Sequence, residues 1–338
     1  MTRSARRWRH SVMVVLAALV LALPACWGAA TLWYQLPCAT AVRIVGVALW
    51  AVLCLVLLVV AWRGQALVAA SGFVVAFAAL LLRWQAIAPS NDRAWADDVA
   101  RGVTGTVDGD TVTLAGVRDF DWRAENDYAP RWETRRYDLA QLESTDLILS
   151  YWMGPAIAHT LVSFGFADGA HVVFSAEIRR ERGEAFSTIG GFFKQFELVL
   201  IAADERDIVR LRTNVRGEDV YLYRVNMPKP AMQALFRAYV AEGNALAATP
   251  RFYNTVTTNC TTLIYHMMRS IVGNLPLDWR LLLSGHLDEY VYARGALDAR
   301  YPLARLRAFG RIGDRARASD RGPEFSADIR RGIPELPH

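Results

Sequence analysis

Three apolar segments lie within the first 84 residues, and they constrain the fold more than any other feature of this chain. They run from Ser11 to Leu32, from Val42 to Trp62 and from Ala66 to Leu82. A transmembrane helix needs about 20 mostly apolar residues, so each segment has close to the length required to cross a bilayer. The third segment is the shortest and is followed at once by Arg83. The pattern predicts a membrane anchor of three transmembrane helices over residues 1–84.

The distribution of arginines predicts the orientation of this anchor. Four arginines precede the first segment, and Arg63 lies in the short connection between the second and third segments. Because positive charges favour the cytoplasmic side, both regions are expected inside the cell. Three crossings then place the rest of the chain in the periplasm, as expected for a multi-pass protein of the bacterial inner membrane with a cytoplasmic N-terminus.

A cleaved signal is the alternative interpretation of the first segment. Residues Leu23 to Cys26 resemble a lipoprotein cleavage box, although Pro24 fits that box poorly. The two later segments favour plain anchoring over cleavage. The apolar region contains no acidic residue between Ser11 and Leu82, so the sequence gives no sign of an ion or proton path.

The chain after the anchor is predicted to form one globular domain followed by a basic stretch. Residues 85–298 have the mixed composition of a folded domain and are numerous enough for one core. Residues 299–338 are rich in Arg, Gly and Pro, and we expect them to be loosely ordered against the domain or the membrane. The net charge of +5 arises largely from arginines at the two ends, so no nucleic-acid partner is expected.

Residues Ile157 to Arg179 show the strictest pattern in the domain. Large apolar side chains occupy even-numbered positions, and polar side chains collect at odd-numbered positions. This alternation predicts two antiparallel strands with one apolar face. The connection from Ala167 to Gly169 has the length and the final glycine of a type I turn followed by a left-handed residue. That length places His159 directly opposite Glu177 on the more polar face, whereas a shorter or longer connection would separate them.

Other elements follow from apolar runs and helix signals. Strands are predicted from Phe196 to Ala203 and from Val220 to Val225, and helices from Pro230 to Leu246 and from Cys260 to Val272. The charged run from Asp204 to Asp207 is interpreted as a solvated turn. We therefore expect an α+β domain in which an antiparallel sheet packs against helices.

Cys260 is the only cysteine after the anchor, and in an oxidising compartment cysteines are usually paired or avoided. It follows Asn259, a good N-cap, and it continues an apolar helical stripe. A helix N-terminus lowers the pKa of a thiol, a histidine can take the thiol proton, and a carboxylate can orient that histidine. The Cys260 backbone N–H can donate to a developing oxyanion. If the helix packs on the polar face of the two strands, Cys260 meets His159 and Glu177. A buried thiol in a core helix produces the same stripe, so that alternative stays open.

Two other sets of residues carry weaker signals. His171 shares the strand face of His159 and is a rival for the orienting role. His286, Asp288 and Glu289 have side chains that bind metals, but their spacing matches no established site. We therefore expect no metal and no cofactor.

Several segments occur together in the order typical of one bacterial family. They are Tyr151 to Thr160, Ser163 to Phe166, Ser175 to Arg179, Asp204 to Asp207, Leu211 to Asn214 and Tyr253 to Thr262. Together they resemble the Lnb N-terminal periplasmic domain, a bacterial domain of unknown function, over most of Ala96 to Arg294 and over a piece near Phe325 to Pro334. The order of histidine, acid and cysteine is also similar to that of the circularly permuted papain-like hydrolases, the relatives of NlpC-type peptidases.

The second resemblance implies a permuted papain-like arrangement. Cys260 would then be the nucleophile, His159 the base and Glu177 the orienting residue. Members of that clan attack amide or ester carbonyls with a thiolate.

The leading hypothesis is therefore a membrane-anchored thiol hydrolase or acyltransferase of the cell envelope. Its partners would be the bilayer and a substrate drawn from peptidoglycan, lipoprotein or lipid. We also expect Asn259, Trp152 and Asn254 to take part in binding. The alternative is a non-catalytic envelope binding or scaffold module in which Cys260 is structural.

Overall fold

The computed structural model describes residues 3–36 and 39–336, which divide into two compact units. The first unit comprises Met1–Pro89 together with Ser187–Gln195, and the second comprises Ser90–Phe186 and Phe196–His338. The chain therefore leaves the second unit between Phe186 and Phe196 and then returns to it.

The first unit is built from apolar helices. Within the described residues these are α1 (Arg3–Gln35), α2 (Thr40–Trp62) and α3 (Ala66–Ala86). Of these, α2 and α3 are long and apolar enough to cross a membrane. The first predicted span lies within α1, but most side chains between residues 11 and 18 fall outside the described part of the chain. The structure thus supplies two candidate spans, and the third crossing stays a prediction.

The second unit is an α+β domain built on a mixed sheet. Its strands, within the described residues, are β1 (Thr104–Asp108), β2 (Thr111–Arg118), β3 (Asp121–Ala124), β4 (Asp127–Ala129), β5 (Trp132–Asp138), β6 (Leu142–Tyr151), β7 (Ala158–Phe166), β8 (His171–Arg179), β9 (Glu197–Ala203) and β10 (Asp219–Arg224). The main sheet has the order β1-β2-β9-β8-β7-β6-β10, with β5 also paired to β2. The small hairpin of β3 and β4 stands apart from it.

One pair of neighbouring strands corrects the expectation of an antiparallel sheet. The strands β2 and β9 run parallel, through Val117 opposite Ala202 and Arg118 opposite Ala203. The other strand pairs of the main sheet are antiparallel. No tight turn joins β2 to β9, so local sequence does not set their relative direction.

Helices cover both faces of this sheet. They are α4 (Glu205–Arg210), α5 (Lys229–Ala248), α6 (Cys260–Val272), α7 (Leu287–Ala293), α8 (Leu303–Gly310), α9 (Gly313–Ser319) and α10 (Phe325–Arg330). The predicted helices near Pro230 and Cys260 are confirmed as α5 and α6. Both pack on the apolar, even-numbered face of β7 and β8, where Phe164 and Phe174 contact the buried Phe236 of α5.

The C-terminal residues cover the opposite face of the sheet. Leu161 and Val173, at odd-numbered positions, share a core with Ala316 of α9 and with Phe325 and Ile329 of α10. Phe325 and Ile329 are fully buried. The expectation of a loosely ordered stretch after residue 298 is therefore wrong. A few apolar residues at helical spacing suffice to dock it, although arginines dominate its composition.

The three acidic residues of the charged run Asp204–Asp207 are also buried, and Arg206 is exposed, which corrects the interpretation of the run as a solvated turn. Asp207 accepts hydrogen bonds from the Arg118 guanidinium at 2.8 and 3.0 Å. Glu205 pairs with Arg330 of α10 at 2.6 Å. The arginine partners are distant in sequence, and they supply the countercharge that a buried carboxylate requires.

Candidate functional site

The local sequence explains why α6 begins at Cys260. The side-chain oxygen of Asn259 accepts hydrogen bonds from the backbone N–H groups of Thr261 and Thr262, both at 2.9 Å. The Thr262 hydroxyl in turn accepts from the Asn259 N–H at 2.8 Å, which completes a capping box. The Asn259 amide also donates to the Thr255 carbonyl at 2.8 Å. Asn259 therefore shapes the loop that presents Cys260, and its role in substrate binding stays a prediction.

The hairpin of β7 and β8 brings His159 and Glu177 together in the predicted register. The last backbone pair is Leu161 with Ser175, and His159 and Glu177 each lie two residues beyond it. The two side chains are in contact, with His159 Nε2 lying 3.0 Å from Glu177 Oε1. Ser175 completes the group, because its Oγ lies 2.7 Å from His159 Nε2 and donates to Glu177 Oε1 at 2.7 Å.

Cys260 approaches His159 from the opposite face of the sheet, whereas the sequence predicts that both lie on the same face. The helix α6 packs on the apolar face of the sheet, whereas His159 and Glu177 belong to the odd-numbered, opposite face. The backbone pairing of β7 with β8 ends at Leu161 and Ser175, and both strands continue past that point without pairing to each other. The Thr160 hydroxyl of β7 lies 3.1 Å from the Thr261 hydroxyl of α6, which brings the start of the helix against this part of the strand. His159 and the Thr160 backbone both lower the pKa of the Cys260 thiol. The thiol therefore meets the imidazole where the sheet opens.

The charges in this cluster support one another. Burial disfavours the charged form of His159, but the Glu177 carboxylate and Cys260 together outweigh burial and raise the pKa of His159 to about 9. Burial likewise opposes the Cys260 thiolate, but the charge and hydrogen bond of His159 lower the pKa of Cys260 to about 7. Burial works against ionised Glu177 as well, and His159 and Arg212 nevertheless hold its pKa well below the ordinary value. Near neutral pH these directions favour a thiolate beside an imidazolium.

Arg212 is a member of this cluster that sequence reasoning missed. It lies in the irregular helical turn Leu211–Val215 after α4, and one of its Nη atoms is 3.0 Å from Glu177 Oε1. The other Nη atom is 3.3 Å from Glu218. Arg212 is buried, and it connects Glu177 to a second carboxylate on the same face of the sheet. Its presence in one of the family-like segments was a signal, but no pattern in the sequence pairs it with Glu177.

His171 does not join this cluster. It lies at the other end of β8, six positions from Glu177, which corresponds to roughly 20 Å along a strand. Its Nδ1 is 2.9 Å from the Gly169 carbonyl in the turn. Of the two rivals for the orienting position, the structure therefore brings only Glu177 to His159.

Trp152 and Asn254 lie in loops of the same domain. Trp152 follows β6, is 42% exposed, and its ring contacts Phe186 edge-on at 5.0 Å between ring centroids. Asn254 forms a tight loop with Thr258, and its side-chain oxygen accepts from two backbone N–H groups at 3.0 Å. Binding roles for both residues stay predictions.

The residues near His286 are engaged with one another and with α8. His286 Nδ1 lies 3.1 Å from Glu289, while Asp288 pairs with Arg307 of α8 at 2.7 Å and accepts from the Tyr223 hydroxyl. Within the described residues, no three His, Cys, Asp or Glu side chains converge in a way that would hold a metal ion.

Fold and site together define an α+β domain with a thiol–imidazole–carboxylate cluster at the N-terminus of a helix. The family model of the Lnb N-terminal periplasmic domain matches residues 128–285, a range that includes Cys260, His159, Glu177 and Arg212. No curated protein and no solved structure matches the chain, so the papain-like resemblance is not confirmed. The family match and the two apolar helices together indicate a membrane-anchored protein with a periplasmic domain.

Proposed function

We propose that this protein is a thiol hydrolase or acyltransferase that acts on amide or ester bonds in the cell envelope. Cys260 is the nucleophile, His159 the general base and acid, and Glu177 the group that orients the imidazole. The observation that carries the proposal is the position of His159. Its Nε2 lies 3.0 Å from Glu177 Oε1, and the imidazole lowers the pKa of the Cys260 thiol to about 7.

The reaction begins with attack of the Cys260 thiolate on the carbonyl carbon of the substrate. Cys260 occupies the first position of α6, where a backbone N–H has no partner within the helix and is free to donate to the oxyanion. Collapse of the tetrahedral intermediate breaks the C–N or C–O bond and leaves a thioester on Cys260. The His159 imidazolium gives its proton to the departing amine or alcohol.

The second half of the reaction resolves the thioester. A water molecule attacks in the hydrolase, and an amine or alcohol attacks in the acyltransferase. His159 takes the proton of this nucleophile, and the thiolate leaves to restore the starting state. Glu177 holds the Nε2 side of the imidazole and so fixes the orientation of the ring. Peptidoglycan peptides, lipoproteins and lipids all contain a suitable carbonyl.

The topology of the proposal has three crossings. The N-terminal arginines and Arg63 lie in the cytoplasm, α1 crosses with α2 and α3, and the domain is periplasmic. The arginine distribution supports this orientation by the positive-inside rule.

The test is the pH dependence of Cys260 alkylation in the full chain. The protein is held in lipid nanodiscs, treated with iodoacetamide, and the Cys260 peptide is quantified by mass spectrometry. We expect half-maximal reactivity near pH 7, the value to which His159 lowers the thiol pKa. His159→Gln should shift this midpoint toward the ordinary thiol value. His266→Gln is the matched control, since His266 is an exposed histidine on α6.

The alternative of a non-catalytic module has its own supporting observation. Cys260 is only 8% exposed and packs in the core with Leu263 and Met267. That alternative predicts an ordinary thiol midpoint in the wild-type chain and no change with His159→Gln. Either result would require the catalytic proposal to be abandoned.

A further inference from the structure

The segment Val272–Leu283, here named the apolar loop, exposes an unusual number of large apolar side chains. Its exposed members are Val272 at 50%, Leu277 at 78%, Trp279 at 55%, Leu282 at 53% and Leu283 at 40%. Single exposed leucines are ordinary on a protein surface, but five large exposed apolar side chains within twelve residues mark a segment that contacts another apolar phase or partner.

The apolar loop is held firmly in this exposed arrangement. Residues Trp279–Leu281 form a 3-10 turn, and Leu281 turns inward to be 95% buried as the anchor of that turn. The Tyr265 hydroxyl donates to the Leu275 carbonyl at 2.8 Å, and the Tyr290 hydroxyl donates to the Pro276 carbonyl at 2.9 Å. The backbone is therefore fixed by the domain, and the outward direction of the apolar side chains is part of the fold.

The apolar loop carries no net charge. Asp278 and Arg280 are its charged residues, and they pair with each other through two contacts of 2.8 and 2.7 Å. The Arg280 guanidinium also lies over the Tyr290 ring at 5.6 Å. A neutralised and partly covered pair loses less hydration free energy in an apolar environment than two separate charges. Transfer of the loop from water into an apolar environment therefore has only a modest free-energy cost.

A bilayer lies within reach of the domain for reasons of chain length alone. The candidate span α3 ends at Ala86, and the second unit begins at Ser90. An extended chain covers at most about 14 Å over these four residue steps. The domain is also joined to the helical unit on both sides of Ser187–Gln195. These short connections keep the domain close to the membrane surface.

We propose that the apolar loop inserts into the interfacial region of the bilayer that the N-terminal helices enter. Tryptophan and leucine are the side chains suited to that depth, where an apolar ring meets the headgroups. This inference depends on membrane anchoring and is independent of the chemistry of Cys260.

The insertion would also hold the site at the membrane. Ser284 follows the apolar loop directly, and its hydroxyl donates to the Ala158 carbonyl at 2.6 Å and accepts from the Ala158 N–H at 3.0 Å. The next residue, Gly285, donates to the Ala156 carbonyl at 3.0 Å. Because Ala158 precedes His159, the apolar loop and the start of β7 form one braced surface.

The test is photochemical labelling of the full chain by lipid. The protein is reconstituted in vesicles of phosphatidylethanolamine and phosphatidylglycerol that contain a phospholipid with a diazirine in its acyl chain. After irradiation, lipid adducts are mapped on peptides by mass spectrometry. We expect adducts within residues 272–283 as well as on α2 and α3. The hairpin around Val107 is the matched control, since Val107 is 45% exposed beside two aspartates and should stay unlabelled.

A double substitution isolates the contribution of the side chains. In Leu277→Asn/Leu282→Asn, the yield of adducts on the loop should fall at least about fivefold, because two of its five exposed apolar side chains become polar and oppose insertion. Labelling of α2 serves as the internal standard and should not change. Replacing phosphatidylglycerol by phosphatidylcholine should leave the loop adducts unchanged, because the loop is neutral.

Three outcomes would overturn the proposal. The first is labelling of α2 and α3 with no adduct on the loop. The second is equal labelling of the Val107 hairpin, which would mean that the lipid reacts with any exposed surface. The third is an undiminished yield of loop adducts in Leu277→Asn/Leu282→Asn, which would mean that these apolar side chains do not carry the insertion.

Discussion

The charge of Glu177 is predicted to control the protonation of His159. Glu177→Gln keeps the size of the side chain and its ability to accept hydrogen bonds, and it removes the negative charge that lies 3.0 Å from Nε2. Burial and Arg212 both disfavour the imidazolium, so only Cys260 remains to favour it. The pKa of His159 should therefore fall from about 9 to near or below the ordinary value of 6.5.

The magnitude follows from the size of this shift. A change from 6.5 to about 9 corresponds to about 3 kcal/mol of preference for the imidazolium in the folded protein. The His159 side chain is only 14% exposed, so solvent screening removes little of this preference. Because the folded pKa is raised, the stabilisation is complete below pH 6.5 and is lost as the pH rises through 9.

Global stability is a poor readout for this effect. The folded pKa of Cys260 is lowered from 9 to about 7, so the thiolate adds stability as the pH rises over nearly the same interval in which His159 loses it. The two contributions largely offset each other. A direct titration of the imidazole is required.

The assay is NMR titration of histidine ring carbons in the full chain, with the His159 resonance assigned through His159→Gln. The wild-type resonance should titrate near pH 9, and the Glu177→Gln resonance at least two units lower. Asp168→Asn is the matched control, since it removes one carboxylate from the turn of the same hairpin, far from His159. If wild-type His159 titrates near 6.5, or if Glu177→Gln leaves its pKa unchanged, the electrostatic argument is refuted.

Two further predictions concern stability. Asn259→Ala should lower the free energy of unfolding by about 1 kcal/mol through loss of the helix cap, and Asn259→Asp should restore it; equal stability of wild type and alanine variant would contradict the capping role. Arg330→Met leaves the buried carboxylates of Glu205 and Asp146 without this partner. This substitution should lower the free energy of unfolding by about 3–5 kcal/mol and the Tm by roughly 10 °C. Arg331→Met removes the neighbouring, 78% exposed arginine and should change the Tm little. Similar decreases in Tm for Arg330→Met and Arg331→Met would show that the buried ion pairs of Arg330 stabilise the fold no more than an exposed arginine does.

The successful sequence predictions concern features set by neighbouring residues. The alternation in β7 and β8 and the length of their turn predict that His159 meets Glu177, and the two side chains are in contact at 3.0 Å. The Asn259 cap and the apolar stripe place the start of α6 at Cys260. Each of these features depends on backbone periodicity or on hydrogen bonds between residues a few positions apart, and both can be predicted from local sequence.

The unsuccessful predictions concern features that depend on distant partners. The sequence predicts a solvated Glu205, because its partner Arg330 lies far along the chain, in a stretch that is expected to be loosely ordered. The sequence does not indicate that Arg212 pairs with Glu177, because this ion pair forms only when the turn after α4 packs beside β8. In both cases the residue type was visible in the sequence, but its countercharge was not.

The sequence alone therefore determined the parts of this protein: apolar anchor helices, an α+β domain, a histidine paired with a glutamate, and a cysteine at a helix start. Only the tertiary structure decided how those parts meet. The helix α6 lies on the face opposite His159, because that face holds the large apolar side chains. The thiol nevertheless reaches the imidazole, because β7 and β8 stop pairing at Leu161 and Ser175. Where a sheet opens depends on the packing of several elements at once, and no local pattern of residues encodes it.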